Sequence, residues 1–292
     1  MTPNLEKSYA HCEFVAKTQA KNFYYSFLTL PADKKAAMCS IYAFMRYSDD
    51  VSDEAATAGM TKAEEMMRWR QALDRAFTGD YGDNEILPAF HDTAVKYRIP
   101  IRFFHELIDG TEMDLTKKRY ETFAELHQYC YRVASIVGFV CIHVWGFDDK
   151  DGAAMRYAED CGLAFQLTNI LRDIKEDAER DRIYLPQEDL RRFDVSEEDL
   201  KQGVKSERLT KLIRFEAERA EQYYDQAQKL FPLVSAAGRP TLLIMMQIYR
   251  GILDDIIRND FDVHSQRARV STPRKLKIVA EAWIRSRIPG SI

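Results

Sequence analysis

Two acidic clusters, each closing an apolar helical stretch, constrain the fold of this chain more than any other feature. Asp49-Asp50-Val51-Ser52-Asp53 follows Ile41-Tyr42-Ala43-Phe44-Met45 and Arg46, and Asp173-Ile174-Lys175-Glu176-Asp177 follows Leu163-Ala164-Phe165, Leu167 and Ile170-Leu171. Each is a DxxxD, and residues four apart project from one face of an α-helix. Like charges at that spacing disfavour a helix by roughly 0.2–0.5 kcal/mol, and Asp is a mediocre helix former, so each pair calls for a compensating cation. Mg²⁺ bound to a diphosphate suits that need, because it prefers hard oxygen ligands and is held by one or two carboxylates plus phosphate oxygens and water. A lone DxxxD is most often a solvated face, and Arg46, Arg172, Lys175 and Arg180 are near enough to neutralise one. The repeated layout says more: helices buried for most of their length and acidic toward one end make a polar mouth over an apolar cavity.

The rest of the chain is helical material. Hydrophobic residues make up 46% and aromatic residues 12% of 292, enough for an extensive core, while 12 Gly and 9 Pro are few for a β-rich chain with many turns. Capping boxes are written at Thr61/Glu64 and Thr122/Glu125, and Thr272 before Pro273 fits an N-cap with proline at the first helical position. Ten helices are predicted, over 4–29, 33–53, 61–77, 85–98, 100–116, 122–146, 151–178, 207–230, 232–259 and 273–287, without strand alternation or a solenoid period. No linker divides residues 1–292, so one domain is expected. The main break is 181–206, with Pro186 and Gly203, read as a lid or a surface crossing.

Several functions are excluded or weakened. A net charge of −4 argues against a nucleic-acid surface, which displays a basic stripe. The five cysteines stand singly, without CxxC spacing, as reduced core thiols do. The amino terminus lacks a signal-peptide apolar region, and Val133 to Phe147 is too short to span a bilayer, so a cytoplasmic protein is expected, with transient contact at a membrane. His105-Glu106-Leu107-Ile108-Asp109 has Asp where a zinc-protease motif needs its second histidine, no histidine completes an ExxH, and neither a Walker A nor a GxGxxG motif is present. No sequence feature specifies an oligomeric state.

Longer motifs carry a family resemblance. Arg46-Tyr47-Ser48-Asp49-Asp50-Val51-Ser52-Asp53, the run Tyr129 to Gly138, and Gln166, Asn169, Arg172, Asp173 and Asp177 leading to Arg182-Ile183-Tyr184-Leu185-Pro186 resemble the squalene and phytoene synthases over nearly the whole chain. The resemblance implies an all-α bundle of the isoprenoid synthase type around a central apolar cavity. It implies that Asp49, Asp53, Asp173 and Asp177 bridge Mg²⁺ over prenyl diphosphate substrates. Asn169 and Gln166 lie one and two turns before Asp173, where they would bind phosphate or orient the reacting end. Arg46 and Arg172 would donate to phosphate oxygens, with Arg269 as a weaker third. Tyr42, Tyr129, Tyr184 and Tyr249 resemble the tyrosines around the diphosphate mouth and reacting carbons, Phe23 and Phe27 the aromatics that limit chain length. Ala134 and Gly138 would let an isoprenoid tail pass close to the backbone, although helix packing explains them equally well. The expected reaction joins two farnesyl diphosphates and stops at presqualene diphosphate, with NADPH needed only if it continues to squalene. The alternative is a phytoene synthase using two geranylgeranyl diphosphates; the rival of another class is a noncatalytic helical scaffold.

Overall fold

Helices form wherever capping residues precede the apolar stretches. The computed structural model describes residues 2–20, 23–53, 57–149, 151–203 and 205–288, with the side chains of Pro3 and Asp53 outside that description. Among the described residues the chain forms α1 (Pro3–Gln19), α2 (Phe23–Phe27), α3 (Ala32–Asp53), α4 (Lys62–Ala76), α5 (Leu87–Lys96), α6 (Ile101–Thr116) and α7 (Phe123–Cys130). A π turn (Tyr131–Ser135) runs straight into α8 (Ile136–Trp145), followed by α9 (Ala153–Glu179), α10 (Gln187–Arg192), α11 (Glu197–Gln202) and α12 (Glu207–Ala227). A 3₁₀ turn (Gln228–Leu233), α13 (Arg239–Arg258) and α14 (Thr272–Arg285) complete the order. β pairing among these residues is limited to two isolated bridges, Arg119 with Ile183 and Phe147 with Val234. The all-α expectation holds.

Local chemistry sets the helix ends. At α4 the predicted box closes: the Glu64 N–H donates to Thr61 Oγ1 at 3.2 Å while Glu64 Oε2 accepts from the Thr61 N–H at 2.7 Å. At α7 it closes only by half. Thr122 Oγ1 accepts from the Glu125 N–H, but the Glu125 carboxylate turns to Lys117 and the Glu121 N–H. At α14 the N-cap is Ser271 rather than Thr272, with Pro273 still in the first turn.

Helix α9 runs through the middle, with α12 packed along it and the π turn, α8 and α13 against its other sides. Helix α3 is held by α1, α5 and α6 through an aromatic stack in which the Phe44 and Phe90 rings lie 4.1 Å apart with Phe104 edge-on. The Trp69 Nε1–H of α4 donates to Ser48 Oγ of α3 at 2.8 Å, satisfying two buried polar groups between the helices. All five cysteines are buried and free.

Three departures from the predicted spans matter. The span 4–29 is two helices, because Ala20 leaves helical geometry. The span 122–146 carries the π turn, which passes between α6 and α9 at glycines. A Cβ on Gly162 would stand 2.5 Å from Ser135 Cα, and one on Gly110 2.8 Å from Val133 Cγ1, so only glycine admits this approach. The segment 181–206 is a tied crossing rather than a loose lid. The Ile183 and Gln187 N–H groups donate to the Lys118 and Tyr120 carbonyls, each at 2.9 Å, while Arg119 pairs with Asp181 and Glu197.

Candidate active site

Helices α2, α3, α6, α8, α9 and α13 and the π turn enclose a cavity of about 430 Å³, within the range of small-molecule sites. Its apolar part is aromatic: Phe165 and Tyr249 stack at 4.4 Å, and Phe23 lies 5.7 Å from Tyr249 and 6.4 Å from Tyr42. Ala134 and Gly138 line the same cavity. Gly138 also serves packing, since a Cβ there would stand 2.8 Å from the Ala158 carbonyl oxygen. Burial pushes the Tyr42 and Tyr249 hydroxyls up to about 12, so both stay protonated donors near neutrality.

Arg46 and Asp49 on α3, with Gln166, Asn169 and Arg172 on α9, give the cavity its polar end. Arg46 forms an ion pair with Asp50, while its buried Nε finds no hydrogen-bond partner among the described residues. The Asn169 Nδ2 donates to Gln166 Oε1 at 3.3 Å, leaving its own buried Oδ1 unpaired among the described residues. Buried polar atoms without protein partners suit a ligand that supplies a cation to Asn169 and an anionic oxygen to Arg46. The side chain of Asp53 lies outside the described residues.

The second cluster is arranged differently. Arg172 grips both oxygens of Asp173, through Nε at 2.8 Å and through Nη2. Arg267, from the segment between α13 and α14, reaches Asp173 Oδ1 at 2.7 Å and Glu176 at 3.2 Å. Asp177 turns away into a small recess shared with Ile174, Tyr184 and Leu200. Burial, and secondarily the charge of Asp173, raises its carboxyl to about 7.

Behind Asp177 lies a tyrosine cluster built on Asp114. Tyr129 donates to Asp114 Oδ2 at 2.9 Å and Tyr184 to Asp114 Oδ1 at 2.8 Å, while the two rings stack at 5.1 Å. Burial drives both hydroxyls far above the usual tyrosine range.

The structure places four of the candidate residues away from the cavity. Tyr129 and Tyr184 face Asp114 and the Asp177 recess instead of lining the cavity, because the π turn changes the helical phase between Tyr129 and Ala134. Phe27 is buried core, Phe23 alone of the pair reaching the cavity. Arg269 uses its backbone N–H to hold Asp255, and Arg267 is the arginine of that segment on Asp173. Sequence reasoning missed Arg267, Asp114, Phe165 and Gly162. Asp114 carried a signal, an acid at the end of apolar helix α6 like those ending the two motif helices.

The oxygen donors of Asp49, Asp173, Asp177 and Asn169 suit a hard divalent cation such as Mg²⁺. Among the described residues no three acidic, His or Cys side chains converge as a ready-made metal cage.

A model of the squalene/phytoene synthase family matches residues 16–274. The 15-cis-phytoene synthase of Synechocystis is 38% identical over 98% of this chain and 87% of its own length, and phytoene synthase 2 of Solanum lycopersicum is 34% identical over 98% and 93%. Among solved structures, a dehydrosqualene synthase superposes with a TM-score of 0.86 at 29% identity, covering 95% of this chain and 96% of its own. The squalene synthase HpnC of Alicyclobacillus acidocaldarius gives 0.82 at 26%, covering 90% and 97%. The phytoene synthase names overturn the expectation of farnesyl diphosphate condensed to presqualene diphosphate. A family match over most of the chain, joined to relatives of this similarity, makes the protein a member of the squalene/phytoene synthase family, and so a prenyltransferase rather than a scaffold.

Proposed function

We propose that the chain acts as one isoprenoid synthase domain and joins two geranylgeranyl diphosphates head to head to give phytoene. The observation that carries this reading is the similarity to phytoene synthases along 98% of the chain. In balance, a bond forms between the two reacting carbons, two diphosphates leave and two protons are lost, the second to set the central double bond. No electron pair is added, so no NADPH is consumed. Asp49, Asp53, Asp173 and Asp177 would hold Mg²⁺, which would supply Lewis-acid neutralisation of the leaving diphosphate.

The chain's own residues supply the rest. Arg46 and Arg172 bind phosphate oxygens as planar, permanently charged donors. Asn169 and Gln166 orient the diphosphate end. The faces of Tyr42, Phe165 and Tyr249 line the path of the developing carbocation, where each cation–π contact contributes about 0.5–2 kcal/mol. The apolar walls exclude water that would trap the cation as an alcohol. No helix among the described residues is long and apolar enough to cross a membrane. We place the reaction in an aqueous compartment, the cytoplasm, with membrane contact confined to the protein's surface.

Steady-state comparison of geranylgeranyl and farnesyl diphosphates with Mg²⁺ and no NADPH, followed by product mass analysis, tests the reading. Phytoene at the higher kcat/KM is expected. A higher kcat/KM for the C15 substrate, with dehydrosqualene as product, would overturn the substrate choice.

A further inference from the structure

Helix α14 has two apolar faces, and the fold uses one. Ile278 and Ala282 are buried, with Val279 packed against the core, as α14 lies on α13 and α2. Leu276, Trp283 and Ile284 point outward at 52%, 51% and 54% exposure. With Ala280 they form a stripe at i, i+4, i+7 and i+8, the spacing of a helix face meant for burial. Ile288, just past the helix, is exposed as well. Single exposed apolar residues are ordinary, but a large aromatic and two aliphatics in register on one helix are not.

The charge on this segment is the second observation. Residues 272–288 carry five basic side chains (Arg274, Lys275, Lys277, Arg285 and Arg287) against one acid, Glu281, for a local balance of five minus one, +4, in a chain whose net charge is −4. Lys277 borders the stripe, 3.8 Å from Glu281, and Arg287 stacks its guanidinium 4.9 Å from the Trp283 ring centre. Apolar residues with a tryptophan, interleaved with Lys and Arg, are the composition of helices that lie in a bilayer interface. The headgroups attract the cations, and the indole sits at the boundary between acyl chain and water.

The third observation is position. Helix α14 rests on α2 and α13, which carry the cavity-lining residues Phe23, Leu242, Met245 and Tyr249. One helical layer separates the exposed stripe from the apolar chamber.

We propose that the outer face of α14 docks on an anionic phospholipid surface, setting the cavity beside the phase in which long prenyl chains dissolve. Charge complementarity selects this occupant. A stripe built for a second copy of the chain would bring two +4 segments together, whereas a bilayer rich in acidic headgroups neutralises them and buries the stripe at once.

The proposal does not depend on which prenyl diphosphate the cavity accepts, because its test reads binding rather than turnover. The chain has three tryptophans, and Trp69 and Trp145 are only 3% and 2% exposed, so a change of emission on binding reports Trp283. Vesicles of phosphatidylglycerol with phosphatidylcholine should float the protein and shift its tryptophan emission to the blue. Pure phosphatidylcholine vesicles, or 0.5 M salt, should do so at least about tenfold less. The double variants Trp283→Ser/Ile284→Ser and Lys277→Glu/Arg287→Glu should each lose at least about tenfold in vesicle affinity while keeping wild-type turnover on detergent-dispersed substrate. Absence of flotation with the anionic vesicles, equal binding by both variants, or a concentration-dependent dimer abolished by Trp283→Ser without vesicle binding would each overturn the proposal.

Discussion

The ends of α3 and α9 carry the same DxxxD spacing and present it in different ways. On α3, Asp49 opens directly on the cavity and the neighbouring guanidinium of Arg46 is turned to Asp50, off the motif. On α9, Asp173 is already clasped by Arg172 and Arg267, and Asp177 has withdrawn toward Asp114 and Tyr184. The cause lies in what surrounds each helix. Helix α9 continues past its motif to Glu179, and the tied crossing 181–206 returns over its last turns. A motif therefore fixes which carboxylates are neighbours along a helix, but the chain that packs over the helix decides which of them meets a ligand. At one end a guanidinium pairs beside the cavity-lining carboxylate; at the other, two guanidiniums sit on the motif's first carboxylate itself.

The largest effect should come from neutralising one carboxylate at each end. Asp49→Asn and Asp173→Asn should each lower kcat by about a hundredfold or more with the fold retained, because both ends are proposed to serve the same diphosphates. Near-wild-type turnover of either variant at limiting Mg²⁺ would break the pairing of the two ends.

Next comes the way α9 is seated. Helix α3 is fixed by its aromatic stack and contains no glycine, while α9 meets the π turn through Gly162. Gly162→Ala should destabilise the protein by about 1–3 kcal/mol in urea melts, since the added methyl meets backbone rather than a yielding side chain. An unchanged midpoint would mean that the close approach is not needed.

A smaller effect is expected from Asp114→Asn, which keeps the shape behind α9 and removes the charge that pins Tyr129 and Tyr184. A fall in kcat of about tenfold with KM little changed fits a positioning role. Loss confined to thermal stability would reduce Asp114 to a structural acid.

The subtlest test is thermodynamic. The folded-state pKa of Asp177, about 7, lies above the ordinary 3.8, so ionisation costs the folded state. That cost begins as pH rises past about 4, grows to about pH 7 and is constant above. In metal-free protein, Asp177→Asn should therefore raise Tm by an amount that widens across this window and reaches a few degrees, read by scanning calorimetry. A difference that does not vary with pH would place Asp177 in water instead.

Much of this was legible in the sequence. Apolar periodicity and caps foretold the helices, and the cavity contains Tyr42, Arg46, Asp49, Gln166, Asn169, Arg172 and Tyr249 as the motifs implied. What escaped were relations that no local pattern encodes. Arg267 and Arg269 are equivalent as residues, and only the path of the chain beyond α13 puts the first on Asp173. Tyr129 and Tyr184 meet because Asp114 on a third helix joins them. Gly110 and Gly162 mark where the π turn passes between α6 and α9, an approach set by three separate segments.

That turn has a further consequence. A π turn is an α-helix holding one surplus residue, and removing a residue from an α-helix rotates everything beyond it by about 100°. Residues 123–145 thus form a single rod with two azimuths, one aiming Tyr129 at Asp114 and the other aiming Ala134 and Gly138 at the cavity. Deleting one residue between Tyr131 and Ser135 would take out the surplus and leave regular helix with Tyr129 and Gly138 on their present faces, whereas deleting one at the start of α8 would turn the cavity wall beyond it the wrong way.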